Sequence, residues 1–327
     1  MSKTYLIPAA GRFYKANFHC HTTNSDGIFT PEQVRSLYLR NGYSVVAFTD
    51  HWTYADMCSL SRDDFLALCG YELNYDWREL NTDRLFRTCH ICAIARDPAH
   101  CTPIPGLGEY NIASINEAIR RLNENGFIVN LNHTAWSAMP TQDILSMEGI
   151  TGMEMYNATC AYGYGDTAEY ANYEMSIRCA KRWLPIAADD NHLGLFDRET
   201  PIAAGDCCTA YMMIKSERLA YKDILDAYLA GHYYCSTGPT IYALYLEDDC
   251  LCVDCSPVFR AQLRTKYITF IETIQRQQDT LTHVAFDIGR YREDTPYVIV
   301  QLTDQMGRFA CTVPYYFHSS STTAVSH

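Results

Sequence analysis

The segment Lys15-Ala16-Asn17-Phe18-His19-Cys20-His21 ends a short run with strand character, and in a strand the side chains at i and i+2 share a face. His19 and His21 therefore point the same way, with Cys20 opposite. Two imidazoles held on one face are half of a metal site, because neutral imidazole suits zinc, iron and similar ions; the competing reading is a pair of structural strand histidines. Further apolar runs end in the same kinds of residue. Residues 44–49 deliver Asp50-His51, 127–131 deliver Asn132-His133, 152–156 deliver Asn157, and 184–188 deliver Asp189-Asp190-Asn191-His192. Glu72 follows Gly70-Tyr71, and His90 opens the apolar segment Ile91-Cys92-Ala93-Ile94. Histidines that converge with carboxylates at strand ends are the raw material of a multinuclear metal site.

Those strands need elements that hold them side by side. Thr30 reads as an N-cap with Pro31 at the first helical position and Gln33 completing a capping box, and Asn41-Gly42 stops the helix. A second helix reads from Ser114, with Glu117 as its partner, through Ile115, Ile119 and Leu122 to a stop at Asn125-Gly126. Alternating strands and helices predict a parallel sheet, closed as a barrel or doubly wound, with ligands at the C-terminal strand ends. After a helix over 221–229 the texture changes. Beyond Ser236-Thr237-Gly238-Pro239 short strands are expected at 240–246, 258–264, 267–271, 282–288, 297–302 and 309–313. The expected organisation is a domain over 1–238, a β-rich extension over 239–317 and a disordered Ser/Thr-rich tail over 318–327.

The chain of 327 residues has a formal net charge of -12 and no Lys/Arg run, which argues against a general electrostatic grip on nucleic acid. No stretch approaches the roughly 18 apolar residues of a membrane span, and the N-terminal apolar run is too short for a signal peptide, so a cytoplasmic location is expected. Fifteen cysteines, odd in number and irregularly spaced, point to reduced thiols. Cys89-x-x-Cys92 and Cys250-x-Cys252-x-x-Cys255 have metal-ligand spacing but lack a matched second pair. An anionic substrate must find positive charge locally, with Arg62, Arg78 and Arg198 as candidates. The aromatic stretches Trp52-Thr53-Tyr54 and 71–77 suit either stacking on a ligand or packing.

The series His19-x-His21, Asp26-Gly27, Thr49-Asp50-His51, Gly70-x-Glu72, His90, Asn132-His133, Glu154-x-x-Asn157 and Asp190-x-His192 resembles the PHP superfamily, named for polymerase and histidinol phosphatase. The resemblance implies an α/β fold, a distorted (βα)7 TIM-like barrel, carrying two or three divalent ions of zinc, manganese or iron. It implies that His19, His21, Glu72 and Asp190 surround one ion, that Glu72 bridges to a second held by His90 and His133, and that Asp26, His51 and His192 hold a third. Some relatives have histidine where Asp26 stands, and an oxygen there shifts preference toward manganese or iron. Tyr233 to Pro239 and the β-rich tail resemble a subgroup with a C-terminal β extension, although Gly205-Asp206-Cys207-Cys208 departs from its pattern. Metal ions a few ångströms apart share a water, lower its pKa from about 15.7 to about 7, and clamp both oxygens of a phosphoester. The implied activity is hydrolysis of a small phosphorylated metabolite or nucleotide; ester, amide or carbamate hydrolysis and a metal-braced binding module are the alternatives. Asp50, Asn132, Glu154 and Asn157 are expected to orient ligands, and Asp50 and Asp189 are also the candidates for a catalytic acid.

Overall fold

The computed structural model describes residues 3–165, 167–192, 206–268, 271–289, 291 and 295–317. The chain divides into two compact units, one spanning Ala10–Cys235 and the other joining residues up to Ala9 with those from Ser236.

The first unit is a mixed α/β structure around one large sheet. Its elements in chain order are β1 Arg12–Asn17, α1 Pro31–Arg40, β2 Tyr43–Phe48, β3 Leu66–Arg78, β4 Leu85–Ala95, β5 Leu107–Glu109, α2 Ile112–Glu124, β6 Phe127–Leu131, α3 Thr141–Leu145, β7 Gly152–Asn157, α4 Ala158–Gly163, α5 Glu169–Arg178, β8 Leu184–Ala188, β9 Tyr211–Ser216, α6 Tyr221–Leu229 and β10 Tyr233–Ser236. The strand order is β10-β9-β1-β2-β3-β4-β6-β7-β8, with β5 beside β3. Strands β1 with β2, β2 with β3, β6 with β7 and β7 with β8 run parallel.

The uniform parallel sheet expected from the strand-helix alternation is broken at β4, which lies antiparallel to both β3 and β6. The reason is the length of the connection. A parallel pair needs a crossover of a dozen or more residues, and only residues 79–84 separate β3 from β4. A single 3₁₀ turn, Cys58–Leu60, replaces a helix between β2 and β3, so helices are fewer than a regular barrel repeat requires. At the C-terminal strand ends the backbone nevertheless joins first strand to last. The amide of His21 donates to Asn191 O at 3.1 Å and that of Asp190 to His19 O at 3.0 Å.

Helix α1 begins as its sequence indicates. Thr30 Oγ1 accepts from the Gln33 amide, and Gln33 Oε1 accepts from the Thr30 amide at 2.8 Å. Helix α2 starts earlier than Ser114, because Asn111 is in extended geometry and its carboxamide oxygen accepts from the Ser114 amide at 3.1 Å. Asn caps at least as well as Ser, and that makes Ser114 the third helical residue. Phe18, Phe48, Phe65 and Phe127 are fully buried, each worth roughly 1.5–3 kcal/mol of transfer free energy, and they fix the strands that carry the polar ends.

The second unit is all β. One antiparallel sheet runs Thr4–Tyr5, Ile241–Glu247, Cys250–Val258, Leu281–Asp287, and Arg260–Thr265 lies antiparallel between Glu272–Gln275 and Tyr297–Thr303. Thr4 and Tyr5 belong here by pairing with Leu246 and Tyr245, outside the 1–238 domain expected from sequence. Residues 269–270 of the strand expected over 267–271, and the 318–327 tail, lie outside the described residues. No helix among the described residues is long and apolar enough to cross a membrane.

Candidate metal centre

Each of the nine expected ligands sits at, or just beyond, the end of a strand, or on the central hairpin. His19 and His21 extend β1, His51 follows β2, and Glu72 and His90 lie on β3 and β4. His133 follows β6, and Asp190 and His192 follow β8. Asp26 is brought in by a tight turn after β1. A Cβ on Gly27 would stand 2.7 Å from the His21 carbonyl, so the turn closes this far only with glycine.

Glu72 is the hub. Its Oε1 lies 3.2 Å from His19 Nε2, 3.1 Å from His90 Nδ1 and 3.4 Å from His133 Nε2. Its Oε2 lies 3.1 Å from His51 Nδ1 and 3.5 Å from His21 Nε2. Asp190 Oδ1 approaches His21 Nε2 at 3.0 Å and His19 Nε2 at 3.1 Å. Asp26 Oδ2 approaches His192 Nε2 at 3.3 Å and His51 Nε2 at 3.6 Å. The ligand atoms fall into overlapping groups, His21-Asp26-His51-His192, His19-Glu72-His133, His19-His21-Asp190 and His51-Glu72-His90. This differs from the implied partition: His90 and His133 fall in separate groups that share Glu72, His51 joins His90 as well as Asp26 and His192, His19 joins His133, and His21 also faces Asp26.

These residues fit metal ions. His21 Nδ1, His51 Nδ1, Glu72 Oε2 and Asp190 Oδ1 are buried and close no well-formed hydrogen bond although an imidazole or carboxylate stands 3.0–3.6 Å from each, the arrangement of ligand atoms turned toward a shared cation rather than toward one another. His19 Nε2 and His21 Nε2 stand 3.1 Å apart, while His19 Nδ1 is 2.8 Å from Glu154 Oε1. If Nδ1 donates to Glu154, His19 Nε2 is a bare lone pair; if His21 Nε2–H donates to it, His21 Nδ1 becomes a bare lone pair facing Asp26. A cation between the rings removes the conflict.

The charges are strongly coupled. Burial disfavours the Glu72 and Asp190 carboxylates, but the surrounding imidazoles outweigh it and hold both well below the usual carboxylate range. Asp26 is likewise driven down, against burial, by His192, His21 and His51. Burial, then His192 and His51, push His21 down to about 4. Burial also works against protonation of His133 and His192, yet Glu72 and Asp190 for the first, and Asp26 and Asp190 for the second, raise each to about 9.

Behind the ligands, Glu154 Oε2 accepts from the His133 amide and from Asn157 Nδ2, each at 2.9 Å, and Asn157 Nδ2 also reaches Asp190 Oδ2 at 3.1 Å. Asn132 Nδ2 donates to Glu72 Oε1 at 2.6 Å. These contacts fix ring orientation and carboxylate pose. The two candidate acids have other work. Asp50 accepts from the Thr22 amide at 2.7 Å, Thr22 Oγ1 at 2.8 Å and Ser25 Oγ at 2.8 Å, which pins the turn that carries Asp26. Asp189 accepts from Tyr38 and from the amides of Cys208, Thr209 and Ala210, so its carboxylate, pushed up to about 6 by burial, faces the sheet interior rather than the cluster. Neither is free to act as an acid on a bound substrate.

A cavity of about 250 Å³ opens over the cluster, lined by Asp26, His51, His90, His133 and His192 with Trp136, Thr159 and Tyr164 as its wall. Neither Arg62, bonded to Ser59 O and Ser61 O, nor Arg78, paired with Asp76, lines it, and Arg198 lies outside the described residues. Trp52 stands beside His51, and Trp77 packs against Phe86. Cys89 and Cys92 sit three apart on β4, hence on opposite faces, and neither they nor Cys250, Cys252 and Cys255 form a ligand group among the described residues.

Sequence reasoning missed Glu169. It starts α5 fully buried, and its carboxylate accepts from Thr134 Oγ1 at 3.2 Å, the Ala135 amide at 3.1 Å and the Trp136 amide at 3.3 Å, anchoring the turn after His133. Nothing in its spacing marks it. Burial, only partly offset by the Ala135 amide and His133, raises it from 4.5 to about 7. A raised acid binds more protons folded than unfolded between those values, so its contribution to stability falls as pH rises through that window. In chelated protein, Glu169→Gln is expected to gain about 2 kcal/mol relative to wild type on going from pH 5 to pH 8, read by urea denaturation. An unchanged difference at the two pH values would show that Glu169 is ionised throughout.

No family model and no curated protein matches the sequence. Among solved structures, a two-domain protein containing a predicted PHP-like metal-dependent phosphoesterase from Bacteroides vulgatus is 14% identical, with a TM-score of 0.49 over 96% of this chain and 99% of its own. An amidohydrolase from Chromobacterium violaceum is 14% identical, with a TM-score of 0.44 over 67% of this chain and 96% of its own. Neither likeness carries a functional reading; the cluster does.

Proposed function

We propose that the chain is a metal-dependent hydrolase of the PHP type, its sheet a distorted barrel closed between His19 and Asp190, acting on a small phosphate ester such as a phosphorylated metabolite or nucleotide. The observation that carries this reading is the convergence of six histidines and three carboxylates into overlapping ligand groups, with His51, His90, His133, His192 and all three carboxylates lining one cavity and His19 and His21 buried beneath it. His19, His21, Asp26, His51, Glu72, His90, His133, Asp190 and His192 would hold two or three divalent ions of zinc, manganese or iron. Such ions supply Lewis acidity and an acidified water for attack on the ester.

The chain's own residues set the rest. Glu154 orients His19 and the His133 amide, Asn132 holds Glu72, and Asp50 holds the Asp26 turn. Against the three ligand carboxylates Asp26, Glu72 and Asp190, two or three divalent ions would make the site locally cationic in a chain of net charge -12, which suits an anionic substrate. Trp136 and Tyr164, with ring centroids 5.7 Å apart, form the wall that excludes water from one side.

A second reading, hydrolysis of a carboxylic ester or amide, is favoured by the cavity wall itself: no lysine or arginine among the described residues lines it. The two are separated by turnover of para-nitrophenyl phosphate against para-nitrophenyl acetate after reloading with manganese, zinc or iron. Metal-dependent phosphate cleavage is expected, and His133→Ala is expected to lower both metal content and rate. Acetate cleavage alone selects the second reading, and bound metal with no turnover of either selects a metal-braced binding module.

A further inference from the structure

Three residues away from Glu72 on β3, Cys69 projects from the opposite face of the sheet, since positions separated by an odd number alternate sides. There it meets Cys58 and Asp56, from the connection between β2 and β3. Cys58 Sγ and Cys69 Sγ are 3.5 Å apart, and Cys69 Sγ is 3.5 Å from Asp56 Oδ1. With metal–sulfur and metal–oxygen bonds of about 2.3 and 2.0–2.2 Å, a tetrahedral ion has S···S and S···O edges of about 3.8 and 3.6 Å. The two edges that meet at Cys69 Sγ therefore match such a tetrahedron to within a few tenths of an ångström, and the three ligand atoms all lie within 4.8 Å of one another. A disulfide, by contrast, needs the sulfurs at about 2.05 Å.

Burial raises both thiols above the ordinary cysteine value, so a cation is what would draw them into the thiolate form, and two backbone amides are already aimed at the ligand atoms. The Cys58 amide donates to Asp56 Oδ1 at 2.9 Å, and the Met57 amide points at Cys69 Sγ at 3.2 Å. Amide donors to a carboxylate and to a sulfur are the outer contacts that a thiolate–metal site uses to hold its ligands. Cys69 is buried while Cys58 and Asp56 are exposed, so the fourth position of the tetrahedron opens to solvent. The geometry points to a second cation site in this chain, built by Asp56, Cys58 and Cys69 and taking one thiophilic ion of the zinc class, separate from the histidine-rich centre.

The test uses the reduced full chain titrated with cobalt(II) as the probe. Thiolate ligands give cobalt an intense near-ultraviolet charge-transfer band that histidine and carboxylate ligands do not, so the reading is independent of whether the other centre hydrolyses anything. The band is expected in wild type, to lose at least half its intensity in Cys58→Ser, whose side chain is exposed and whose fold is therefore safe, and to vanish in Cys58→Ser/Cys69→Ser with the loss of about one bound ion. Asp56→Asn is expected to keep the band but weaken cobalt affinity about tenfold or more. No band with cobalt in excess, a band of undiminished strength in Cys58→Ser, or a Cys58–Cys69 disulfide that re-forms in the presence of zinc would each overturn the site.

Discussion

Replacing Glu72 by glutamine is expected to cost at least one bound metal ion and about 10³-fold or more in kcat/KM, roughly 4 kcal/mol of transition-state stabilisation. The size of the effect follows from its neighbours. His19, His21, His51, His90 and His133 all reach its two oxygens, at 3.1 to 3.5 Å. Glutamine keeps the shape and one acceptor oxygen, but it brings an N–H₂ group against imidazoles that need an acceptor or a shared cation. It also removes one of the negative charges that offset the ions' mutual repulsion. Metal content by elemental analysis and turnover of the active nitrophenyl ester check the expectation together. Full metal content with turnover within about tenfold of wild type would remove Glu72 from the centre.

Glu154→Gln is expected to fall between that loss and a neutral change, at about 10–100-fold in metal affinity or activity. Glu154 holds two expected ligands by atoms that face away from the ions: Oε1 meets His19 Nδ1 at 2.8 Å and Oε2 accepts from the His133 amide at 2.9 Å. An amide can satisfy one of these contacts but turns donors toward the other. The variant should therefore fold and retain ions at high metal concentration while losing them faster to a chelator. A loss as deep as that of Glu72→Gln would make Glu154 a direct ligand, and an unchanged chelation rate would make it a spectator.

That the expected ligands converge was partly legible because strand chemistry is local: period-two alternation aligns His19 with His21, and apolar runs announce where polar ends begin, while their partition among ions came only from the resemblance. The same holds for α1, whose Thr30–Gln33 capping box needs only neighbours in sequence. What could not be read depends on contacts between distant segments. The antiparallel turn-back of β3 and β4 was not visible because the residue pattern of a strand reads alike in either direction, so only the pairing across the hairpin shows it. Asp50 and Asp189 looked like acids because spacing reveals a carboxylate but not the amides that occupy it. Glu169 reaches the His133 turn from another helix, and Cys58 and Cys69, eleven positions apart, share no ligand motif.

The backbone link between the first and last strands also bears on how this chain reaches its native state. The Asp189 amide bonds to Asn17 Oδ1 across 172 positions of sequence, and the amide contacts of His21 and Asp190 close the same seam. Such long-range pairings form only after the intervening chain has been collapsed and ordered, because loop closure must precede the contacts that reward it. His19 and Asp190 lie on either side of that seam, so the ion pocket is expected to complete late in folding, with added metal slowing unfolding in stopped-flow denaturation and leaving the refolding rate nearly unchanged. Ions that recognise only the closed seam act on the unfolding rate and leave the folding rate nearly untouched, which makes the metal a lock on the finished molecule rather than a nucleus for it.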